Sequence, residues 1–313
     1  MLKIGNITFR NPLVLAPMAD ITSISFRLLC KRYGAALVIT EMVNANAIER
    51  NNKATLKMAR VVEEERPVAI QIFGQSNECI VKSCQILEKD ADIIDFNCGC
   101  PVERVMRIGA GVALLKRPTK LKSIIEEASS TISKPFTVKI RSGLTRKSAD
   151  AVKTAKLVES AGAAAITIHA RTQDQGYSGK ADWNDIKEVK RNVSIPVIGN
   201  GDVDSAIKCK QMLDETNCDF VMIGRAAKKS PYIFRQCLNY LEKGELLPDQ
   251  THNEKMSDFM ELLNNFKKYN DLDFEKIRRR AMDFTHGIAG SARSRNQLQS
   301  AKTIAEIIEL LRQ

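Results

Sequence analysis

Side chains capable of chemistry recur in this chain at the ends of short apolar runs. In order they are Pro17-Met18-Ala19, Glu41, Gln71, Asn97 with Cys98-Gly99-Cys100-Pro101, Lys139 with Arg141, His169 with Arg171, Asn200-Gly201-Asp202, and Gly224-Arg225. Each alone has an ordinary structural role. Together, a lysine, arginines, a histidine and a glutamine suit an anionic or strongly polar ligand. The cysteine pair is the most specific feature. A thiol can serve as nucleophile, base, acid or redox centre. Gly99 and Pro101 impose a non-helical turn expected to hold the Cys100 sulfur in the mouth that these run ends would form, whereas Cys98 keeps the phase of the preceding run and points into packing. The other six cysteines, Cys30, Cys79, Cys84, Cys209, Cys218 and Cys237, read as core or surface thiols. Two cysteines and three scattered histidines, with no CxxC pair, do not make a zinc site, so no metal is expected.

The last two groups narrow the ligand. Asn200-Gly201-Asp202 and Gly224-Arg225 match the phosphate site of an α/β barrel, where backbone N–H groups and a following helix meet the anion. Glycine there keeps a Cβ from blocking the approach. On spacing alone the phosphate belongs to a sugar phosphate, a nucleotide or a flavin.

The elements that carry these residues are regular. Apolar, β-branched runs lie at Leu13–Ala16, Ala36–Thr40, Val68–Phe73, Asp92–Phe96, Phe136–Ile140, Ala165–His169, Pro196–Gly199 and Phe220–Ile223. Near-continuous apolar runs suit parallel strands buried on both faces. Helical stretches such as Ser76–Lys89, Lys120–Ser133, Ala149–Ala161 and Ser205–Thr216 separate them. Eight βα units predict an α/β fold, a (β/α)₈ TIM barrel, over 1–241. A doubly wound sheet would call for a Gly-rich turn after the first strand, where Ala-Pro-Met-Ala stands instead. The polar stretch Glu242–Lys255 reads as a linker. Three helices are expected beyond it, at Met256–Tyr269, Phe274–Ile288 and Ala301–Leu311, giving a small C-terminal helical domain over 242–313.

Composition excludes other classes. The chain has 313 residues, 44% apolar and 27% charged, with only 5% aromatic residues, too few for a stacking-platform RNA binder. No apolar run approaches the ~18 residues of a membrane span. The amino end MLKIGNITFR lacks an apolar signal core, so a cytoplasmic location with free thiols is expected. The net charge is +11, all of it in the first 243 residues. The balanced tail still holds one basic cluster, Lys276, Arg278, Arg279, Arg280, Arg293 and Arg295, facing only Asp283. That pattern suits a polyanionic partner.

These motifs resemble the tRNA-dihydrouridine synthases, FMN-dependent barrels with a helical C-terminal domain. The matching pieces are Ala-Pro-Met-Ala at 16–19, Gln-Ile-Phe-Gly at 71–74, Asp-Phe-Asn-Cys-Gly-Cys-Pro at 95–101 and Gly-Ala-Gly-Val-Ala-Leu-Leu at 109–115. Val-Lys-Ile-Arg at 138–141, Ile-His-Ala-Arg-Thr at 168–172, Gly-Asn-Gly-Asp at 199–202 and Ile-Gly-Arg at 223–225 continue the series in the family's order. The resemblance implies reduction of the C5–C6 bond of specific tRNA uridines to dihydrouridine. Hydride would come from reduced FMN, re-reduced by NADPH or NADH, and the proton from Cys100. It implies that Pro17, Met18 and Ala19 line the flavin ring and that Gln71 and Lys139 bond its polar edge. His169, Asn200, Gly201, Asp202, Gly224 and Arg225 would hold its phosphate end. Asn97, Arg141 and Arg171 would meet the uracil or its phosphate, with Arg278, Arg279 and Arg280 contacting the tRNA. The loop Gln173–Trp183, with Tyr177, Gly179 and Trp183, is a candidate wall for the flipped base; Trp183 as a cap of the next helix is the plainer role. No membrane and no obligate protein partner is expected. The rival is a dihydroorotate-dehydrogenase-like flavin barrel acting on a free pyrimidine; the helical tail and the positive charge favour the polyanion.

Overall fold

A computed structural model of the chain describes residues 1–286 and 291–312. A short antiparallel hairpin, β1 (Leu2–Ile4) and β2 (Ile7–Phe9), precedes the barrel. The barrel strands are β3 (Leu13–Leu15), β4 (Val38–Ile39), β6 (Val68–Phe73), β7 (Ile93–Cys98), β8 (Phe136–Gly143), β9 (Ala165–Thr172), β10 (Val197–Asn200) and β11 (Phe220–Ile223). They run in parallel in the order β3-β11-β10-β9-β8-β7-β6-β4, with the two-residue β5 (Val43–Asn44) added on β6. A parallel bridge between Val14 and Leu37 closes the ring. The eight expected runs are thus all strands of one (β/α)₈ barrel.

The crossover helices are α1 (Ile24–Arg32), α2 (Ala45–Glu49), α3 (Lys53–Ala59), α4 (Asn77–Leu87), α5 (Glu103–Arg107), α6 (Pro118–Thr131), α7 (Ala151–Ser160), α8 (Trp183–Asn192) and α9 (Ala206–Thr216). After β11 come α10 (Arg225–Lys229) and α11 (Ile233–Lys243), then four helices α12 (His252–Lys268), α13 (Phe274–Phe284), α14 (Ser291–Ser300) and α15 (Ile304–Arg312).

Strand alternation sorts the core. The outward set, such as Ile70, Ile94, Phe96, Val138, Ile166 and Val221, packs under the helices. The inward set fills the lower barrel with Val14, Leu37, Ala69, Ile93, Ala165, Ile198 and Phe220. The hairpin plugs that pole: Ile4 and Phe9 join the same cluster, and the Phe9 ring meets Phe220 edge-on at 5.3 Å. Nothing in the first ten residues had suggested strands, because a three-residue strand is too short to display a period.

The sequence and the structure differ again at the tail. The expected linker 242–255 shrinks, because α11 runs to Lys243 and α12 begins at His252. A capping box explains the early start: the Thr251 hydroxyl accepts from the Glu254 N–H, and the Glu254 carboxylate accepts from the Thr251 N–H. The tail has four helices among the described residues, not three. The additional one, Ser291–Ser300, is polar on all sides except at buried Leu298, so it carries no apolar stripe. The expected helix end at Ile288 lies outside the described residues. The tail is tied to α1, where Tyr33 donates to Asp258 at 2.6 Å and Arg32 pairs with Asp258 and Glu261. No helix among the described residues is long and apolar enough to cross a membrane.

Candidate active site

In the upper half of the barrel the inward parity turns polar. Gln71, Asp95, Asn97, Thr137, Lys139, Arg141, Thr167, His169, Arg171 and Asn200 all share it. Adjacent strands pair in register, so these side chains converge at the carboxyl pole: Asp95 stands opposite Gln71 and Thr137, Asn97 opposite Lys139, and Arg141 opposite His169. The Lys139 ammonium crosses the interior to Asn200 Oδ1 at 3.3 Å.

A cavity of about 1290 Å³ opens there. Its wall includes Pro17, Met18, Lys139, His169, Arg171, Asn200, Gly201, Asp202, Gly224 and Arg225. Ten of the predicted residues therefore meet in one space. Two predicted flavin contacts do not join them. Ala19 is exposed beyond the rim, and Gln71 is buried beneath the floor with its amide bonded to Asp95 and Asn97.

The electrostatics of the wall are lopsided. Burial lowers the Lys139 ammonium to about 8, and neighbouring Arg141 pushes in the same direction. His169 falls to about 2, first through burial and then through Lys139, Arg141, Arg171 and Arg225, so its ring is neutral at physiological pH. Asp202 accepts from Arg171 at 2.8 Å, from Arg225 at 2.7 Å and from the Ala181 N–H at 2.7 Å. Its carboxylate is thus a strut for two arginines; it faces cations and not an anion. Arg171 also donates to the carbonyls of Ser178 and Gly179, and its buried Nη1 has no partner. Arg141, 2% exposed, donates to the carbonyls of Gly99, Thr172 and Gly176. Both arginines therefore shape the loop after β9.

The loop after β9 lines the cavity through Tyr177, Gly179 and Trp183. Tyr177 lies 6.2 Å from the His169 ring, with the guanidiniums of Arg141 and Arg225 5.7 and 5.2 Å from its own. Trp183 neither caps α8, a task taken by Asp182, nor stands free: its indole N–H donates to the Gly201 carbonyl at 2.9 Å. Gly201 has φ +129°, and a Cβ there would sit 2.7 Å from that of Ala181.

Cys98 is fully buried on the outward parity, as its phase required. Cys100, expected in the mouth, is half-buried and is not part of the cavity wall, because its turn folds under the loop at 109–115; it lies within electrostatic reach of Arg141, Arg104 and Lys139. Desolvation dominates and raises its thiol above the ordinary value. The turn that holds it is specified from both sides. Asn97 Oδ1 accepts from the N–H groups of Gly99 and Cys100 at 3.1 and 2.9 Å. Val112 N–H donates to the Cys100 carbonyl at 3.1 Å. A Cβ on Gly111, φ +61°, would lie 2.7 Å from that same oxygen. The glycine motif at 109–115 therefore exists to let one loop close over the cysteine turn. Asn97, read as a substrate ligand, has its amide oxygen committed to this turn.

The arginine cluster requires correction. Of Arg278, Arg279 and Arg280, only Arg279 is exposed, with Asp20 at 3.7 Å. Arg278 donates to the carbonyl of Gln299 and pairs with Glu275. Arg280 is 4% exposed and paired with Asp283 at 2.8 Å. Three consecutive residues point about 100° apart on a helix, so one surface cannot take all three. Sequence reasoning also missed Asp95 and Thr137, for which strand parity was the available signal. It missed Lys228, Lys229, Lys255 and His286 on the outer arm of the cavity, for which it had none.

Known proteins are similar to this chain in sequence and in fold. The profile of the dihydrouridine synthase (Dus) family matches residues 14–313. The chain is 41% identical over 249 residues to tRNA-dihydrouridine synthase B of Escherichia coli (strain K12), covering 79% of this chain and 77% of that one. It is 37% identical over 270 residues to tRNA-dihydrouridine synthase B of Pasteurella multocida (strain Pm70), covering 86% and 81%. Among solved structures, morphinone reductase in complex with tetrahydroNAD superposes with TM-score 0.56 at 14% identity, over 79% of this chain and 91% of that one. Histamine dehydrogenase from Rhizobium sp. 4-9 superposes with TM-score 0.58 at 12% identity, over 84% and 50%. At such identities the structural likeness concerns the barrel alone.

Proposed function

The chain belongs to the dihydrouridine synthase family, and on that premise we propose that it reduces the C5–C6 bond of uridines in tRNA, with a flavin, FMN, in the barrel mouth and Cys100 as the proton donor. The observation that carries this reading is the polar inward parity of β6–β10 ending beside a single turn-locked thiol. The wall fits a phosphorylated flavin. Lys139, Arg141, Arg171 and Arg225 all act on a neutral His169, Asp202 pairs with Arg171 and Arg225, and Arg171 keeps an unpartnered buried Nη1. Such a donor set calls for a bound anion.

When bound and reduced, FMN supplies the hydride that no side chain can. The protein does the rest. Pro17 and Met18 offer apolar contact along one side of the cavity, while the glycines after β10 and β11 let the backbone approach a phosphate. Lys139, placed opposite Asn97, offers a cation where negative charge develops on the uracil carbonyl. Cys100 brings a proton to the far side of the double bond. Its raised pKa keeps the thiol protonated at neutral pH, which a general acid requires. A base in folded tRNA is stacked, so it must turn out to reach this depth, and Tyr177 stands at the entrance as a surface to receive it. NADPH or NADH restores the flavin. The barrel over 1–241 carries the chemistry, and the helices of 242–313 contribute to tRNA binding through exposed Arg279. The free-pyrimidine reading gives no use to that tail.

The test is anaerobic. The FMN-loaded protein is reduced with NADPH, unmodified tRNA is added, and flavin absorbance is followed. Reoxidation by tRNA and not by uracil or orotate is expected; a reduced flavin that only orotate oxidises would overturn the reading.

A further inference from the structure

The polar residues under the cavity floor form a chain with one direction. The backbone N–H groups of Gly99 and Cys100 can only donate, and both donate to Asn97 Oδ1. That fixes the amide of Asn97, whose Nδ2 must face Gln71 and donates to Oε1 at 2.9 Å. Gln71 in turn presents Nε2 to Asp95 Oδ2 at 2.6 Å. The partner at position 95 must accept. The other Asp95 oxygen accepts from the Thr137 hydroxyl at 2.6 Å. Each orientation is forced by the one before it, from the cysteine turn down to a carboxylate that is 1% exposed and takes no part in the cavity wall.

We propose that Asp95 is a positioning residue: as the acceptor on which this chain ends, it locks the amide orientations that the turn requires of Asn97 and Gln71 and thereby holds the Cys100 turn. The role depends on an acceptor and not on charge. Asparagine at 95 keeps Oδ1 towards Gln71 and turns Nδ2 to the Thr137 hydroxyl, which can accept as readily as it donates. Leucine fills similar space and leaves a buried Gln71 N–H unmet. The link from this role to turnover rests on the reading of Cys100 as the acid.

The experiment measures iodoacetamide alkylation of Cys100 in the FMN-loaded protein, by mass spectrometry of its peptide across pH. Arg141, Arg104, Lys139 and the Val102 N–H, which surround the thiol, stay in place in every variant. Asp95→Asn and Asp95→Leu remove the same charge, so their difference isolates the hydrogen bond. Asp95→Leu should loosen the turn, expose the thiol, speed alkylation about tenfold at neutral pH and move its pH midpoint down; Asp95→Asn should stay within about twofold of the parent. Gln71→Glu sets two buried carboxylates against each other; at the alkaline end of the pH series, where they no longer share a proton, it should behave like Asp95→Leu. Adding Asp95→Asn to Gln71→Glu restores a donor facing an acceptor and should return the rate to within about twofold. A folded Asp95→Leu protein that alkylates like the parent would overturn the proposal. So would a double variant no better than Gln71→Glu, and that pair decides alone if Asp95→Leu does not fold. Turnover on tRNA should fall in the same rank order with unchanged tRNA affinity. Persistent turnover in Cys100→Ala would remove the acid reading while leaving the alkylation order intact, so the two failures are distinct.

Discussion

The barrel mouth and the helix α13 both gather basic residues, yet only the mouth brings them to one place. On β6–β10 every second residue faces inward, and registered neighbours present those residues to a common axis. Lys139 and Arg141 on β8 and His169 and Arg171 on β9, some thirty residues apart in sequence, share the inward parity of two registered neighbours. On α13 three adjacent arginines diverge: Arg278 into the α13–α14 junction, Arg279 outward, Arg280 into the protein. Charge adjacent in sequence is dispersed by a helix, and charge spaced tens of residues apart is concentrated by a barrel. Function follows the second pattern, and fold stability takes up much of the first.

The sharpest way to break this contrast is at the mouth. Cys100→Ala removes the proposed proton donor from a turn whose geometry depends on backbone groups and not on the sulfur. Turnover on tRNA should drop about a hundred- to ten-thousandfold, while flavin stays bound and tRNA affinity holds. Single-turnover reoxidation of the reduced enzyme by tRNA measures it, and wild-type rates would reassign the acid.

Next in size is a stability difference within α13. Arg280→Ala strips the closer partner from buried Asp283, leaving Lys228 at 3.3 Å as its ion pair among the described residues. Such a loss costs about 3 kcal/mol or more, whereas Arg279→Ala should change stability by less than about 0.5 kcal/mol. Urea unfolding of the two variants decides it; equal midpoints would mean that Arg280 is not the buried strut described here.

How much of this was legible in the sequence follows from the same contrast. Strand-end residues announced themselves because a parallel strand is a short apolar run, and whatever polar residue ends it must lie at a pole. The phase of Cys98 against Cys100 was readable for that reason. The inner parity was equally readable in principle, yet Asp95 inside Ile93–Cys98 was passed over, because a single polar residue in an apolar run looks like noise until its neighbours on β6 and β8 are known. The partners of Asp202 and Arg141 were not readable at all. Whether a charged side chain meets a ligand or a loop carbonyl depends on where the loop after β9 folds back, and that is a tertiary fact.

A pH dependence separates the mouth from an ordinary basic surface. Lys139 carries its proton below about 8 and loses it above. Bound beside Lys139, anionic FMN would raise that value, so affinity should be level between about pH 7, above the second phosphate ionisation near 6, and about pH 8, and fall as pH rises beyond it, with proton uptake on binding there. His169 is neutral throughout this window and adds no step near pH 6.5. Lys139→Met should weaken FMN binding about tenfold at neutral pH and abolish the decline. Fluorescence titration of the apoprotein with FMN between pH 6 and 9.5 measures both; a slope that survives in Lys139→Met would place the titrating group elsewhere.

The smallest expected effect bears on the second region. If α13 contributes to RNA binding through its one outward arginine, Arg279→Ser should lower the slope of log affinity for tRNA against log salt by about one, the release of one counterion-equivalent contact. Arg278→Ser removes a side chain already bonded to Gln299 and Glu275, and should leave the slope within error while loosening the α13–α14 junction. The position of Arg279 gives the comparison its edge. It stands beside Asp20, whose own N–H donates to Glu41 at 2.6 Å on the rim of the barrel mouth. A phosphate there would meet a cation held at the rim by an acidic neighbour, so Asp20→Asn should release that hold and strengthen tRNA binding slightly, by less than about 1 kcal/mol for so exposed a pair. Opposite signs for Arg279→Ser and Asp20→Asn would tie the tail to the mouth as one RNA surface. Equal slopes for Arg279→Ser and Arg278→Ser would move the RNA contact off α13 and leave the barrel's own positive excess to bind the polyanion.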